Sequence, residues 1–277
     1  MAPTTQTTLF ERGLTACGLF VLSSGLAAAE PAFLGFDRND YPGDANLKIL
    51  RQTFAYAGYW LNNPPGEKGN TWIGKRALLE SAGFGFLVLF NGRLDKQLKH
   101  NPIALAQADA QTAITAAHRE GFPAQAIIFL DIEEGGRMLP EQKSYIYTWA
   151  DAVAAAGFRP GVYCSGIPAK EGNTTIVTAN DIRENAQGRK LAYWVTEDSC
   201  PPSPGCVFPK PPPTPADSGT PSADVWQFAQ SPRRRDFAAM CHNYNFDGNC
   251  YPPGIDPSSH LHVDLNTATR PDPSAGR

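Results

Sequence analysis

The chain has 277 residues, with 24 Lys and Arg against 27 Asp and Glu, a formal net charge of -3. Hydrophobic residues make up 42% and charged residues 18%, which sets aside a disordered or collagen-like chain. The slightly acidic balance speaks against a basic grip on nucleic acid or a polybasic membrane patch, while 25 Gly and 25 Pro signal many turns and irregular loops.

Residues 1–12 are polar, and Gly13 to Ala29 is an apolar run ending in small residues, with Ala27 and Ala29 in an A-x-A arrangement before Glu30. This reads as a secretory signal peptide over 1–29, cleaved after Ala29, leaving a mature domain over 30–277. A membrane anchor fits less well, because the run is short and broken by Ser23 and Ser24. A lipoprotein reading through Cys17 is weaker, since that Cys lies inside the apolar core. Five cysteines remain after cleavage. Cys200/Cys206 and Cys241/Cys250 are close pairs around Pro-, Gly- or Asn-rich loops, and an oxidising compartment would let each close a local disulfide. Cys164 falls in an apolar run and reads as a buried thiol. No C-x2-C spacing supports zinc.

Downstream of Glu30, short apolar runs alternate with longer stretches of helical spacing. The runs are Phe33–Asp37, Tyr56–Leu61, Gly85–Phe90, Ala126–Glu133, Pro160–Cys164, Leu191–Thr196, Ala223–Phe228 and His262–Asn266. They are rich in Val, Ile, Phe and Tyr and barely alternate, as buried parallel strands do. Helices are predicted over Pro102–Glu120, opened by Asn101-Pro102 and closed at Gly121, and over Pro140–Ala156, with Tyr145, Trp149 and Val153 on one face. Ala45–Phe54, Lys75–Ala82 and Asn173–Gln187 are shorter candidates. Eight strands alternating with helices predict an α/β fold, a single (β/α)8 TIM-type barrel. Its last two βα units are irregular: residues 201–215 are too rich in Pro for a helix, 231–259 is a second insert, and no final helix is expected. A domain linker at the Pro-rich segment is disfavoured, because too little chain follows it to build a second core.

Catalytic groups of such barrels sit at the C-terminal strand ends. Asp37 ends the first run, Asp131 and Glu133 end the fourth, and Asp264 lies in the eighth. Residues two apart on a strand project the same way, roughly 6.6 Å between Cα atoms, so Asp131 and Glu133 are expected to share one site. Two like charges in a partly dry pocket raise one pKa, which keeps a carboxylic acid protonated for glycosidic chemistry. A solvated strand end is the plainer reading, but four apolar residues precede the acids. Glu134, of opposite parity, is expected to be solvated or to cap a helix. Tyr59, Trp60, Tyr163, Trp194 and Trp226 fall at or near strand ends and Trp72 lies in a loop. For each of these aromatics, stacking on sugar competes with packing in the core. No G-x-S-x-G, phosphate-cradling or dinucleotide motif occurs, and Asp247-Gly248-Asn249 lacks the spaced partners of a calcium loop. Neither a cofactor nor a metal is expected.

The series Gly35-Phe36-Asp37, Phe129-Leu130-Asp131-Ile132-Glu133, Val162-Tyr163-Cys164-Ser165, Tyr193-Trp194-Val195, Trp226-Gln227-Phe228 and Val263-Asp264-Leu265-Asn266 resembles the ordered motifs of glycoside hydrolase family 25 lysozymes. Through GFDRNDYPG and AGYWLN it looks closer still to their bacterial relatives, the glycoside-hydrolase-like domain of unknown function 1906. The resemblance implies that Glu133 is the general acid, that Asp131 assists a reactive N-acetyl group of the substrate, and that Asp37 and Asp264 hold the sugar. Tyr59, Tyr163, Trp194, Trp226, Gln227 and Asn266 would then contact a β-linked N-acetylated glycan, with peptidoglycan the first expected partner. The two inserts have no lysozyme counterpart. A non-catalytic glycan-binding module and an exported interaction protein are the alternative functions.

Overall fold

The computed structural model describes residues 1–4, 31–237 and 239–277; the expected signal segment falls almost wholly outside the described residues. In chain order the strands are β1 (Phe33–Asp37), β2 (Tyr56–Trp60), β3 (Gly85–Asn91), β4 (Ile127–Asp131), β5 (Arg159–Ser165), β6 (Ala169–Glu171), β7 (Thr174–Ile176), β8 (Ala192–Thr196), β9 (Val225–Ala229) and β10 (Asp264–Ala268). All but β6 and β7 close into one barrel in the order β1-β2-β3-β4-β5-β8-β9-β10, the architecture expected of the eight apolar runs.

Seven barrel strands run parallel, and β10 runs antiparallel to both its neighbours, β1 and β9. A parallel last strand needs a crossover that returns the chain to the barrel floor. The described residues of 230–263 contain no long helix. The chain instead stays on the C-terminal face after β9 and enters β10 from above. This reversal puts Asp264, the first residue of β10, directly opposite Asp37, the last of β1. Residues 269–277 then cross the floor. There Asp272 Oδ1 and Ser274 Oγ accept from the backbone N–H groups of Phe86 and Val88, and Ile127 N donates to the Ser274 carbonyl.

The helices are α1 (Leu47–Leu50), α2 (Arg76–Ser81), α3 (Asp95–Leu98), α4 (Pro102–Glu120), α5 (Pro140–Ala155) and α6 (Thr178–Glu184). In α4, Ala106, Ala110, Ala113 and Ala117 form a buried stripe of small residues, which lets the helix approach α5 and the barrel closely. The helix stops at Gly121, whose φ of 78° favours a residue without Cβ. Tyr145, Trp149 and Val153 of α5 are fully buried as the spacing predicts. Between the two helices, Asp109 accepts from Tyr145 Oη at 2.7 Å and from both forks of Arg93 at 2.5 and 2.7 Å.

Two predicted helices shrink. Ala45–Phe54 yields a 3-10 turn and the four residues of α1. Asn173–Gln187 loses its first turn to a β6–β7 hairpin before α6 begins. The β-branched run Thr174-Thr175-Ile176-Val177 suits a strand better than a helix.

The disulfides join Cys200 to Cys241 and Cys206 to Cys250. The expected pairing within each close pair is therefore overturned. The two inserts leave the barrel at the ends of neighbouring strands, β8 and β9, so their cysteines meet across the gap between loops. Cys164 is a buried free thiol, and burial pushes its pKa up to about 12.

Candidate active site

Alternation along each barrel strand decides which side chains reach the interior. Register then gathers the inward ones: Asn91, Asp131, Tyr163 and Trp194 stand in one row across β3, β4, β5 and β8. Asp37 and Asp264 face each other across β1 and β10. Above them opens a cavity of about 470 Å³, lined by Asp37, Asp131, Glu133, Tyr163, Trp194, Gln227 and Asp264, among others. Asp131 and Glu133 also line an adjoining hollow of about 240 Å³ toward Asn91 and Gly92. Glu133 and Tyr163 line a third, of about 440 Å³, toward Ser165 and Thr196. Glu133 thus stands where three parts of one groove meet.

Hydrogen bonds hold the floor of this cavity in a fixed pattern. Trp194 Nε1 donates to Asn266 Oδ1 at 2.9 Å, and Asn266 Nδ2 donates to Asp37 Oδ1 at 2.7 Å. Tyr163 Oη donates to Gln227 Oε1 at 2.7 Å, and Gln227 Nε2 donates to Asp37 Oδ1 at 3.1 Å and to Asp264 Oδ2 at 3.2 Å. Each amide has its acceptor oxygen occupied by an aromatic donor, so its N–H groups must point at the carboxylates. Ser231 N completes Asp264 by donating to Oδ1 at 2.7 Å.

Burial raises all four acids. Asp37 is pushed up to about 6 by desolvation, opposed by the bonds from Asn266 and Gln227. Asp264 lies well above the usual carboxylate range, through burial and then the Asp37 charge. Asp131 is raised well above it by burial, then by the charges of Glu133 and Asp37. Both Asp131 oxygens are buried without a hydrogen-bond donor among the described residues. Two like carboxylates in one dry pocket cannot both ionise freely, so the pair retains a proton; with it on Glu133, the exposed member, Asp131 is left as the acceptor. Glu133 lies beyond the end of β4 and is exposed to the cleft. Its pKa is raised by desolvation within the groove, then by Asp37 and Glu134. Glu134 turns away from the cleft, accepting from Asp95 N at 2.8 Å at the start of α3.

Two predicted contact residues lie elsewhere. Tyr59 is fully buried among Trp72, Phe86 and Phe122 in the helix layer and donates from Oη to Glu120 Oε2. Trp226 is likewise buried, with Nε1 donating to the Glu197 carbonyl. Each has the wrong strand parity: the inward neighbours are Trp60 and Gln227, which do line the cavity. Asn266 is fully buried below the cavity and supports Asp37 rather than lining the space itself. Trp72 is core, its Nε1 donating to the Asn39 carbonyl at 2.8 Å. Trp60, one of the strand-end aromatics, does line the cavity, and Arg38, Gln230 and His262 join it without any expectation from the sequence. Trp60 shares the strand parity of Gly58, which stands against Asp37; the loop residues carry no such signal. Among the described residues no group of three or more His, Cys, Asp or Glu is arranged to hold a metal ion.

A family model described as "Rv2525c-like, glycoside hydrolase-like domain" matches residues 65–232, a span that holds Asp131, Glu133, Tyr163, Trp194 and Gln227. Among solved structures, the chain is similar to an uncharacterized protein of B. stearothermophilus, at 18% identity over 85% of this chain and 95% of that one, TM-score 0.55. It is similar to the Tat-secreted protein Rv2525c of Mycobacterium tuberculosis in complex with L-tartrate, at 13% identity over 88% and 97%, TM-score 0.52. The spore cortex lytic enzyme SleM of Clostridium perfringens matches at 15% identity over 86% and 67%, TM-score 0.50. At these identities the likeness concerns the fold. A comparison with curated proteins finds no match. The matched span covers more than half of the chain and most of the barrel, and on that ground the chain belongs to the Rv2525c-like family of glycoside-hydrolase-like domains.

Proposed function

We propose that the protein is an exported glycosidase that cleaves a β-linked N-acetylated glycan, peptidoglycan foremost. The observation that carries this reading is the Asp131/Glu133 pair, one buried and donorless, the other open to the groove. Glu133 protonates the leaving glycosidic oxygen. The substrate's own N-acetyl carbonyl attacks the anomeric carbon, and Asp131 steadies the N–H of that group as positive charge builds on it. Asp37 and Asp264, held by Gln227, Asn266 and Ser231, orient the sugar and keep negative charge near the developing cation. Glu133 then takes a proton from water, which opens the cyclic intermediate. Attack by the internal group followed by water gives retention at the anomeric carbon.

Export is supported by the two disulfides, which persist in oxidising compartments, and by the likeness to a Tat-secreted protein. The spore cortex lytic neighbour favours a cell-wall glycan. The test is release of reducing ends from purified peptidoglycan by the mature protein and by Glu133→Gln. Loss of the general acid is expected to cost at least about 100-fold in rate, with binding to the glycan retained. Equal activity in both proteins, or inversion at the new reducing end by NMR, would overturn the mechanism. Binding without cleavage in either would favour a glycan-binding module.

A further inference from the structure

The cavity is acidic, yet one strong cation stands in its wall. Arg38 follows Asp37 at the top of β1, and its carbonyl is anchored by Trp60 Nε1 at 3.1 Å. Its side chain lines the cavity beside Asp264 and His262 and supplies the lining with its only Lys or Arg. The Nε of Arg38 is buried and has no hydrogen-bond partner among the described residues. No carboxylate among them comes within ion-pair distance of its guanidinium. The contrast with the structural arginines is plain: Arg93 grips Asp109, Arg76 grips Glu80 and Arg189 grips Asp151.

Asp40, which also lines the cavity, accepts from Thr71 Oγ1 at 3.4 Å and makes no ion pair with Arg38, and the two inner acids are engaged elsewhere. Asp264 accepts from Ser231 and Gln227, and Asp37 from Gln227 and Asn266. A partly buried guanidinium without a partner costs free energy, and a cleft built only for neutral sugar has no use for it. A carboxylate on the ligand would supply the missing acceptor, since a guanidinium presents its donors as a planar fork matched to that group. Within this cavity the carboxylates would repel such an anion except at the Arg38 edge, which fixes its position.

We propose that Arg38 is a specificity-determining residue that binds a carboxylate borne by the glycan next to the bond cleaved. This rests on the glycosidase reading and deepens it. The carboxylate has two sources, the acidic substituent of the amino sugar itself or the peptide attached to it. Four oligomer series separate them: peptide-bearing peptidoglycan fragments, peptide-free fragments, the same fragments with carboxyls amidated, and neutral chitin-type oligomers.

In the wild-type protein kcat/KM should favour carboxylated over amidated fragments. Arg38→Met should reduce that preference at least about tenfold, the factor of one charge-assisted hydrogen bond, and Arg38→Lys should retain part of it. A reduction seen with peptide-free fragments assigns the sugar's own carboxyl; one confined to peptide-bearing fragments assigns the peptide. An unchanged preference in Arg38→Met overturns the proposal. A second measurement needs no turnover: sodium D-lactate titrated against the ¹⁵N-labelled wild-type protein should shift the Arg38 Nε–Hε resonance, and lactamide should not. If no glycan is bound but lactate still shifts that resonance, the glycosidase reading fails and the anion site stands. If lactate leaves the resonance in place, the anion site fails whatever the glycan result.

Discussion

Asp37 shows what burial does to one acid of the site. Its carboxyl is nearly inaccessible and its pKa is raised from 3.8 to about 6, burial outweighing the two amide bonds that favour the charged form. Between those values the folded protein holds the proton and the unfolded chain has released it, so stability falls as pH rises through that window and is lowest above it. Asp37→Asn removes the titration, while its amide oxygen can still accept from Gln227 and Asn266. The variant should therefore be more stable than wild type at pH 7, by about 1–3 kcal/mol, with the advantage fading below about pH 4. Urea denaturation at both pH values checks this, and an advantage that grows toward low pH would contradict it. Glu134 offers a second test at this scale. Its charge helps to raise Glu133 although it takes no part in the groove. Glu134→Gln should thus move the alkaline limb of the kcat/KM profile to lower pH, read directly from the pH–rate curve. An unmoved or upward-shifted limb would argue against Glu133 as the proton donor.

Among the elements, the central strands were legible because burial on both faces leaves an unmistakable apolar run. FLDIE runs from the end of β4 into the segment after it and brings both acids to the groove, and the register with Tyr163 and Trp194 follows from barrel closure. In YAGYW, Tyr59 and Trp60 must face opposite sides of the sheet, and the contact expected of Tyr59 belongs to Trp60. Short helices such as α1 and α6 were blurred because packing against the barrel, more than propensity, sets their ends. The direction of β10 could not be read from VDLN, since a strand's own residues do not say from which end the chain enters. Gly58 of β2 shows how closely these strands approach the site: a Cβ there would lie 2.5 Å from the Cβ of Asp37. Gly58→Ala should destabilise the fold by about 1–3 kcal/mol through overpacking and displace Asp37. Chemical denaturation and glycan turnover should both fall, and a variant with wild-type values of each would show that β1 and β2 are not so closely apposed.

At the scale of the molecule, the inserts and the barrel form one device for shaping the cleft. The insert after β8 carries Cys200 and Cys206, the insert after β9 carries Cys241 and Cys250, and each bond ties one loop to the other. Gln230, Ser231, Pro232 and His262, at the two ends of the second insert, form one wall of the cavity. Ser231 also holds Asp264 through its N–H and receives the Cys250 N–H on its Oγ at 2.7 Å. The cross-links therefore reach the floor of the cavity through only a few atoms. Sequence separations of 41 and 44 residues correspond to about 4 kcal/mol of restricted unfolded-chain entropy for one such loop. Mild reduction, or Cys206→Ser together with Cys250→Ser, should lower the melting temperature and weaken glycan cleavage more than it disturbs the barrel's circular dichroism. The pairing itself is checked by digesting the unreduced protein and identifying the linked peptides by mass spectrometry. Peptides joining Cys200 to Cys206 or Cys241 to Cys250 would contradict the interlocked arrangement, and with it the tie between the inserts and Asp264.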